Sequence, residues 1–232
     1  MAIAVLLRHG RTTANADGLL AGRSLGTALD DEGTRQAVAA AQRIAVLPVH
    51  RVVSSPLRRC RQTATEVVRG QQAARQVSLR VRTDQRLTEC DYGEWTGQKL
   101  KALARTPLWR AVQAHPSGVR FPGGESMVGM QARAVAAVRA IDADVEAEVG
   151  PDGIWVGVSH GDVIKAVLAE ALGMHLDQFQ RVVVEPGSVS VVRFTPLRPF
   201  VVHLNDHGSD LSPLRPHKRG RRRAASDAAV GG

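Results

Sequence analysis

Two segments of the 232-residue chain place a histidine at the end of an apolar run. Val5–Gly10 reads V-L-L-R-H-G, and Val156–Gly161 reads V-G-V-S-H-G. Each run predicts a buried strand, and open α/β sheets bind their ligands at the carboxyl ends of the strands. The glycine after each histidine lets the backbone pass close to a ligand. A single such histidine is more often an ordinary core or surface residue, but two at equivalent strand ends favour a functional site.

Arginines occur between these two segments, in a place that suits an anion. Ser54–Ala64 reads S-S-P-L-R-R-C-R-Q-T-A and predicts a helix that begins just after a strand. The amides of a helix amino terminus and the guanidinium of arginine both favour a phosphate dianion. We assign Arg59 to such a pocket and interpret Arg58 and Arg61 as solvated surface residues.

A third segment carries carboxylates. Leu87–Gly97 reads L-T-E-C-D-Y-G-E-W-T-G, a loop of acidic, aromatic and glycine residues. Any one of its carboxylates would be unremarkable on a protein surface. Alone, this segment does not indicate a function.

Together, these segments resemble the histidine phosphatase superfamily, in its phosphoglycerate-mutase-like branch and especially its actinobacterial phosphatase and phosphomutase members. Arg8–Asn15 reads R-H-G-R-T-T-A-N and follows the pattern R-H-G-x-T-x-x-N. The resemblance runs from Ala2 to about Leu204. Further matching positions are Gly22-Arg23, Leu29, Gly33, Gln36-Ala37 and the F-P-G-G-E-S segment of residues 121–126.

The resemblance implies a role for each matching position. It implies that His9 is the phosphorylated histidine, that Glu89 is the proton donor and that His160 is the second histidine of the pocket. It also implies seven residues that contact the phosphate or the substrate: Arg8, Asn15, Ala21, Gly22, Arg59, Tyr92 and Gly161.

The chemistry explains these residue types. A histidine attacks phosphorus only through a neutral nitrogen, and nearby cations lower its pKa towards that neutral form. Arg8, Arg59 and His160 would hold the dianion and stabilise the charge of the transition state. Glu89 would protonate the departing alkoxide and later deprotonate a water. We therefore expect neither a metal nor a cofactor.

The same pocket serves a phosphatase or a phosphomutase. Cofactor-dependent mutases of this family resemble one another in having paired arginines that bind a second anionic group. The comparable region of this chain, Ala111–Ser126, contains a single arginine, Arg120. This favours a phosphomonoester hydrolase that acts on a small phosphorylated metabolite, with the mutase as the alternative. The secreted branch, with R-H-G-x-R-x-P and a His-Asp pair, is disfavoured by Thr12, Asn15 and Gly161. An inactive regulatory member is also disfavoured, because all five pocket residues are present.

The pattern of apolar residues predicts an α/β protein. Its expected fold is a three-layer α/β/α sandwich with a mostly parallel central sheet, phosphoglycerate-mutase-like in type. Predicted strands cover residues 2–7, 51–54, 77–81, 153–159, 182–184, 188–194 and 200–204. Predicted helices cover residues 31–47, 56–69, 98–114, 126–148 and 163–172.

Composition divides the chain in two. Residues 1–207 are predicted to form the catalytic domain, and residues 208–232 a basic, disordered tail. Six cationic residues between Pro213 and Ala225 account for most of the net charge of +9. Nucleic-acid binding through this tail is a disfavoured alternative of another class.

The remaining features concern location and assembly. Apolar runs are too short to cross a membrane, and Met1–Leu7 leads directly into the R-H-G motif, so we expect no leader peptide and a cytoplasmic protein. Cys60 and Cys90 are expected to be reduced packing residues. The oligomeric state is left open, with a homodimer as one alternative.

Overall fold

The computed structural model describes residues 2–208, so the predicted basic tail lies outside the described residues except for Gly208. Within these residues, the main elements are six strands and seven α-helices. The strands are β1 (Ile3–Arg8), β2 (Val49–Ser54), β3 (Val81–Thr83), β4 (Ile154–Ser159), β5 (Val189–Arg193) and β6 (Phe200–Asp206). The helices are α1 (Thr13–Ala16), α2 (Asp31–Ile44), α3 (Arg58–Arg75), α4 (Leu100–Leu103), α5 (Pro107–Ala114), α6 (Met127–Val149) and α7 (Gly161–Ala171).

The sheet is mostly parallel, as predicted. Its strand order is β3-β2-β4-β1-β5-β6, and among the described residues the one reversed strand is β5, which pairs antiparallel with both β1 and β6. Strands β1 and β4 are adjacent, with Arg8 opposite Ser159 at their carboxyl ends. The chain therefore delivers its two histidines side by side, one residue beyond this pair.

Helices cover both faces of the sheet. Ala4 and Leu6 face one apolar core, together with α6 and α7, whereas Val5 and Leu7 face a second core with α2 and α3. Successive side chains of a strand point to opposite faces, so β1 contributes to both cores. Each fully buried Val or Leu contributes about 1.5–3 kcal/mol of transfer free energy. The predicted three-layer α/β/α arrangement is confirmed.

Two predicted strands were wrong. Residues 77–80 lie outside the sheet, and the short edge strand begins only at Val81. Residues 182–184 form no strand either, although Val182 and Val184 are buried. The carbonyl oxygen of Val184 instead accepts a hydrogen bond from Arg8 Nη1 at 2.6 Å. A short apolar segment can therefore be buried by loop packing without joining the sheet.

Two predicted helix boundaries were also wrong. The helix expected over residues 98–114 is interrupted between α4 and α5, because Thr106 caps a new helix that starts at Pro107. Proline suits the first turn of a helix but not its interior. The helix expected over residues 56–69, with Gly70 marking its end, runs instead from Arg58 to Arg75, and Gly70 packs where an added Cβ would lie 3.1 Å from the Ala41 carbonyl oxygen. Close packing against α2 thus explains this glycine.

Within residues 2–208, none of the helices combines the length and the apolar character that a membrane crossing requires.

Candidate active site

His9 lies immediately after β1 with its ring buried and neutral. Its Nδ1 is 2.8 Å from the Gly10 carbonyl oxygen, which makes Nδ1–H the donor and leaves a lone pair on Nε2. Arg59 Nε donates to this Nε2 at 3.2 Å. Burial, followed by the charges of Arg59 and Arg8, holds the His9 pKa well below its ordinary value. The ring is therefore in the form that can act as a nucleophile.

His160 lies beside it, at the end of β4. The two ring centroids are 5.2 Å apart with an interplanar angle of 67°. Arg59 Nη2 donates to His160 Nδ1 at 3.2 Å, so Nε2–H donates to the Ser55 hydroxyl at 2.8 Å. Cys60 Sγ lies 3.4 Å from the same Nε2. Burial and the charge of Arg59 lower the His160 pKa well below its ordinary value, so this ring is neutral too.

Two arginines supply positive charge to the pocket. Arg59 is only 1% exposed, and its Nη2 also donates to the Gly22 carbonyl oxygen at 2.7 Å, while its Nη1 has no partner among the described residues. Arg8 is 7% exposed, and its Nε likewise lacks a partner in the described part of the chain. Arg58 and Arg61 are exposed, as predicted. Buried donors without acceptors are costly, so these guanidinium groups favour an anion between them.

Glu89 faces His160 across the pocket. The carboxyl group is 2% exposed, with Oε2 at 3.8 Å from His160 Nδ1 and Oε1 accepting from the Cys90 amide at 2.9 Å. Burial, and then the negative charge of Asp162, raise the Glu89 pKa to about 7. A carboxyl group with this pKa can both donate and accept a proton near neutral pH.

A network that the sequence analysis missed holds the backbone of Glu89. Its carbonyl oxygen accepts hydrogen bonds from Arg23 Nε at 2.9 Å and from Arg133 Nη2 at 3.0 Å. Glu125 bridges these arginines, because its Oε1 accepts from Arg23 Nη2 at 2.9 Å and from Arg133 Nη2 at 2.5 Å. The same oxygen also accepts from the Asp91 amide at 2.8 Å. Arg23 and Glu125 lay in recognised motifs without an assigned role. Three segments of the chain therefore fix the position of the proposed proton donor.

The predicted glycines line the pocket closely. Gly22 has φ 51°, and an added Cβ would lie 2.7 Å from Thr96 Oγ1. At Gly161 a Cβ would lie 3.2 Å from Arg8 Cζ. Ala21, next to Gly22, is buried. Side chains larger than hydrogen at these glycines would displace groups of the pocket.

Asn15 and Tyr92, two other predicted contact residues, have protein partners in this structure. Asn15 Oδ1 accepts from the Thr12 amide and hydroxyl, both at 2.9 Å, and so forms a capping box with Thr12, the N-cap residue of α1. Tyr92 is fully buried and its hydroxyl donates to Asp162 Oδ2 at 2.7 Å. Asp162, like Ser55, was not selected from the sequence, although it follows His160 by two residues.

The cysteines are free and buried, as expected. Burial raises the Cys60 pKa to about 12, so this thiol stays protonated beside His160. Among residues 2–208, no group of three or more His, Cys, Asp or Glu side chains is arranged to hold a metal ion.

Comparison with known proteins places the chain in a family. Residues 4–207 match the model of the histidine phosphatase superfamily, branch 1. A glucosyl-3-phosphoglycerate phosphatase from Mycolicibacterium vanbaalenii is 35% identical over 178 residues, which cover 75% of this chain and 76% of the relative. A probable phosphoglycerate mutase from Yersinia pestis is 31% identical over 191 residues, 82% of this chain and 83% of the relative.

A solved structure gives the same result. The mycobacterial glucosyl-3-phosphoglycerate phosphatase in complex with VO3 superimposes with a TM-score of 0.76 at 30% sequence identity, covering 88% of this chain and 98% of that chain. The prediction of a phosphatase with a phosphoglycerate-mutase-like fold is confirmed by these matches. The chain belongs to branch 1 of the histidine phosphatase superfamily.

Proposed function

We propose that this phosphatase hydrolyses the phosphomonoester of a small metabolite through a phosphohistidine on His9, without a metal. One observation carries the proposal: the neutral Nε2 of His9 is held by Arg59 at 3.2 Å, with the His160 ring 5.2 Å away. A nucleophile, two cations and a second neutral imidazole thus surround one small volume. This is the set that phosphoryl transfer needs, because positioning and charge stabilisation dominate its catalysis.

In the first step, His9 Nε2 attacks phosphorus and the bond from phosphorus to the substrate oxygen breaks. The hydrogen bond from Nδ1–H to the Gly10 carbonyl oxygen keeps the ring oriented and stabilises the positive charge that develops on it. Arg59 exchanges its bond to Nε2 for bonds to phosphoryl oxygens. Arg8 and Arg59 then offset the charge of those oxygens in the transition state.

Glu89 supplies the proton that the departing alkoxide requires, and becomes a carboxylate. In the second step this carboxylate takes a proton from water, and the resulting hydroxide attacks the phosphohistidine. The bond from His9 Nε2 to phosphorus breaks, inorganic phosphate leaves, and Glu89 is again protonated. A pKa of about 7 suits both halves of this cycle.

Hydrolysis is favoured over mutase chemistry by what surrounds Glu89. A mutase must also bind a second anionic group, yet the two arginines beside Glu89, Arg23 and Arg133, are both held by Glu125, and Arg120 is exposed. The hydroxyl of Tyr92 is engaged by Asp162. These contacts support transfer of the phosphoryl group to water.

The test is to assay the purified full chain against glucosyl-3-phosphoglycerate, 3-phosphoglycerate, phosphoserine, glycerol 3-phosphate and p-nitrophenyl phosphate. Phosphate release is compared with isomerisation of 3-phosphoglycerate in the presence of 2,3-bisphosphoglycerate. Isomerisation faster than phosphate release would establish the mutase instead. No turnover with any of these compounds would refute the proposal.

The nucleophile is tested separately. His9→Ala should abolish both turnover and the acid-labile phosphate that is trapped on the wild-type chain, whereas His203→Ala, at an exposed histidine on β6, should retain both. Unchanged turnover in His9→Ala would refute the assignment of the nucleophile.

A further inference from the structure

A second carboxylate, Asp162, is buried beside the proposed active site. It lies in the first turn of α7, two residues after His160, and is 0% exposed. Its Oδ2 accepts from the Tyr92 hydroxyl at 2.7 Å, while its Oδ1 has no hydrogen-bond partner among the residues that the structure describes. The reaction proposed above does not use this group. A buried, half-satisfied carboxylate is costly, so its presence calls for a physical reason.

One hydrogen-bond donor and two cations surround Asp162. Tyr92 is a neutral donor, because burial and the adjacent negative charge raise its pKa well above the ordinary value. Two mostly buried cations, Arg8 and Lys165, interact electrostatically with Asp162. Both are 7% exposed. A hydrogen-bond donor and nearby cations offset part of the cost of burying a carboxylate at this position.

The group that this charge affects is Glu89. Charged and titratable groups act on Glu89 from several parts of the chain: Arg8 at the end of β1, Arg59 and Cys60 on α3, Cys90 and Tyr92 in the loop of Glu89 itself, His160 after β4, and Asp162 and Lys165 on α7. The cations Arg8, Arg59 and Lys165 favour the ionised carboxylate, whereas His160 and Tyr92 are neutral. Burial opposes ionisation of Glu89 most strongly, and the charge of Asp162 comes next.

We infer that Asp162 is a positioning residue for proton donation, whose buried negative charge keeps the acidic proton on Glu89. The inference rests on the proposed function, in which Glu89 enters the first step protonated. Without Asp162, Arg8, Arg59 and Lys165 would face Glu89 with no opposing charge, and the donor would lose its proton at lower pH. Tyr92 positions Asp162 in turn, by the bond to Oδ2.

A purely structural role of Asp162 would have other consequences than the positioning role that we infer. Acidic residues are common in the first turn of a helix, where they interact favourably with the helix dipole. Such a residue stabilises the fold without changing which groups of the pocket carry a proton. The two roles differ in how the rate depends on pH and on the leaving group.

The experiment measures kcat/KM against pH for wild type and Asp162→Asn, with two substrates. One is the alkyl phosphate of the panel that the wild type hydrolyses fastest, and the other is p-nitrophenyl phosphate. The alkoxide must be protonated as it leaves, whereas p-nitrophenolate leaves without a proton. Because kcat/KM reports the steps up to the phosphohistidine, only the alkyl ester requires protonated Glu89.

We expect Asp162→Asn to move the alkaline limb of the alkyl-phosphate profile about one pH unit lower, since a nearby like charge shifts a pKa by about that much or more. At one pH unit above the midpoint of the wild-type alkaline limb, kcat/KM of Asp162→Asn should therefore be about tenfold lower than that of the wild type. At pH 5, where the donor is protonated in both proteins, this difference should vanish. The p-nitrophenyl phosphate profile should stay unchanged. Asp31→Asn, at an exposed carboxylate in the first turn of α2, is the matched control and should change neither profile.

A second variant tests the opposite sign and serves if Asp162→Asn does not fold. Lys165→Met removes a cation that interacts with Glu89 and Asp162, so the alkaline limb should move to higher pH. Superimposable profiles of the variants and the wild type, or equal losses with both substrates at every pH, would overturn the inference. Absence of hydrolysis by the wild type would instead refute the proposed function.

Discussion

Replacement of Glu89 by glutamine should stabilise this protein at alkaline pH while it removes activity. Burial and Asp162 raise the Glu89 pKa from 4.5 to about 7. Below pH 4.5 the group is protonated in the folded and the unfolded chain. Between pH 4.5 and about 7 only the unfolded chain releases the proton, so the free energy of unfolding falls as pH rises through this window. Above about pH 7 the loss is complete.

The magnitude follows from the size of the shift. At about 1.4 kcal/mol for each pKa unit, a shift from 4.5 to about 7 destabilises the folded state by about 3 kcal/mol at pH 8. Solvent screens this effect little, because Glu89 is 2% exposed. Glutamine has nearly the same shape, can accept the amide bond from Cys90 and carries no charge.

Urea denaturation of wild type and Glu89→Gln at pH 5 and pH 8 measures this difference. The variant should be more stable by about 3 kcal/mol at pH 8 and by less than about 1 kcal/mol at pH 5. The lowered pKa values of His9 and His160 act on both proteins equally and cancel in the comparison. Glu94→Gln, at an exposed glutamate of the same loop, should show no such gain. A Glu89→Gln protein that is no more stable than wild type at pH 8 would refute the reasoning.

The remaining predictions concern activity. Arg59→Met should lower kcat/KM by about 10²- to 10³-fold, as expected for the loss of an oxyanion donor. The control Arg58→Met, at an exposed arginine, should keep kcat/KM within about twofold of the wild type. Equal effects of the two substitutions would contradict the assignment of Arg59 to the pocket. Gly22→Ala should lower kcat/KM more than Gly18→Ala: both have positive φ, 51° and 64°, but only at Gly22 would a Cβ meet a threonine hydroxyl, at 2.7 Å. For alkyl phosphates, kcat/KM should fall about tenfold per pH unit above about pH 7, as Glu89 loses its proton; a flat profile for both wild type and Glu89→Gln would remove Glu89 from this role. Dialysis against EDTA should leave the rate unchanged, because arginines supply the positive charge; a loss restored by a divalent cation would refute metal independence.

Local sequence patterns predicted much of the architecture. Apolar runs identified β1 and β4, and the helical spacing after Asp31 identified α2, because burial of apolar side chains selects these patterns within a few residues of chain. The same reasoning failed at residues 182–184, where an apolar segment is buried by a loop. It also failed at Gly70, which looks like a helix end in the sequence but meets the Ala41 carbonyl oxygen in the packed structure.

The histidine-glycine motifs, with the superfamily resemblance that they carry, identified the residue types available for phosphoryl transfer from the sequence alone. How these residues meet depends on the folded chain. The pairing of β1 with β4 brings His9 to His160, and the phase of α3 turns Arg59 inward and Arg58 outward, since successive helical side chains point about 100° apart. Interactions such as that of Asp162 with Tyr92 join residues 70 positions apart, and no local pattern encodes them. Their strength depends on burial, which exists only once both cores have closed around the site.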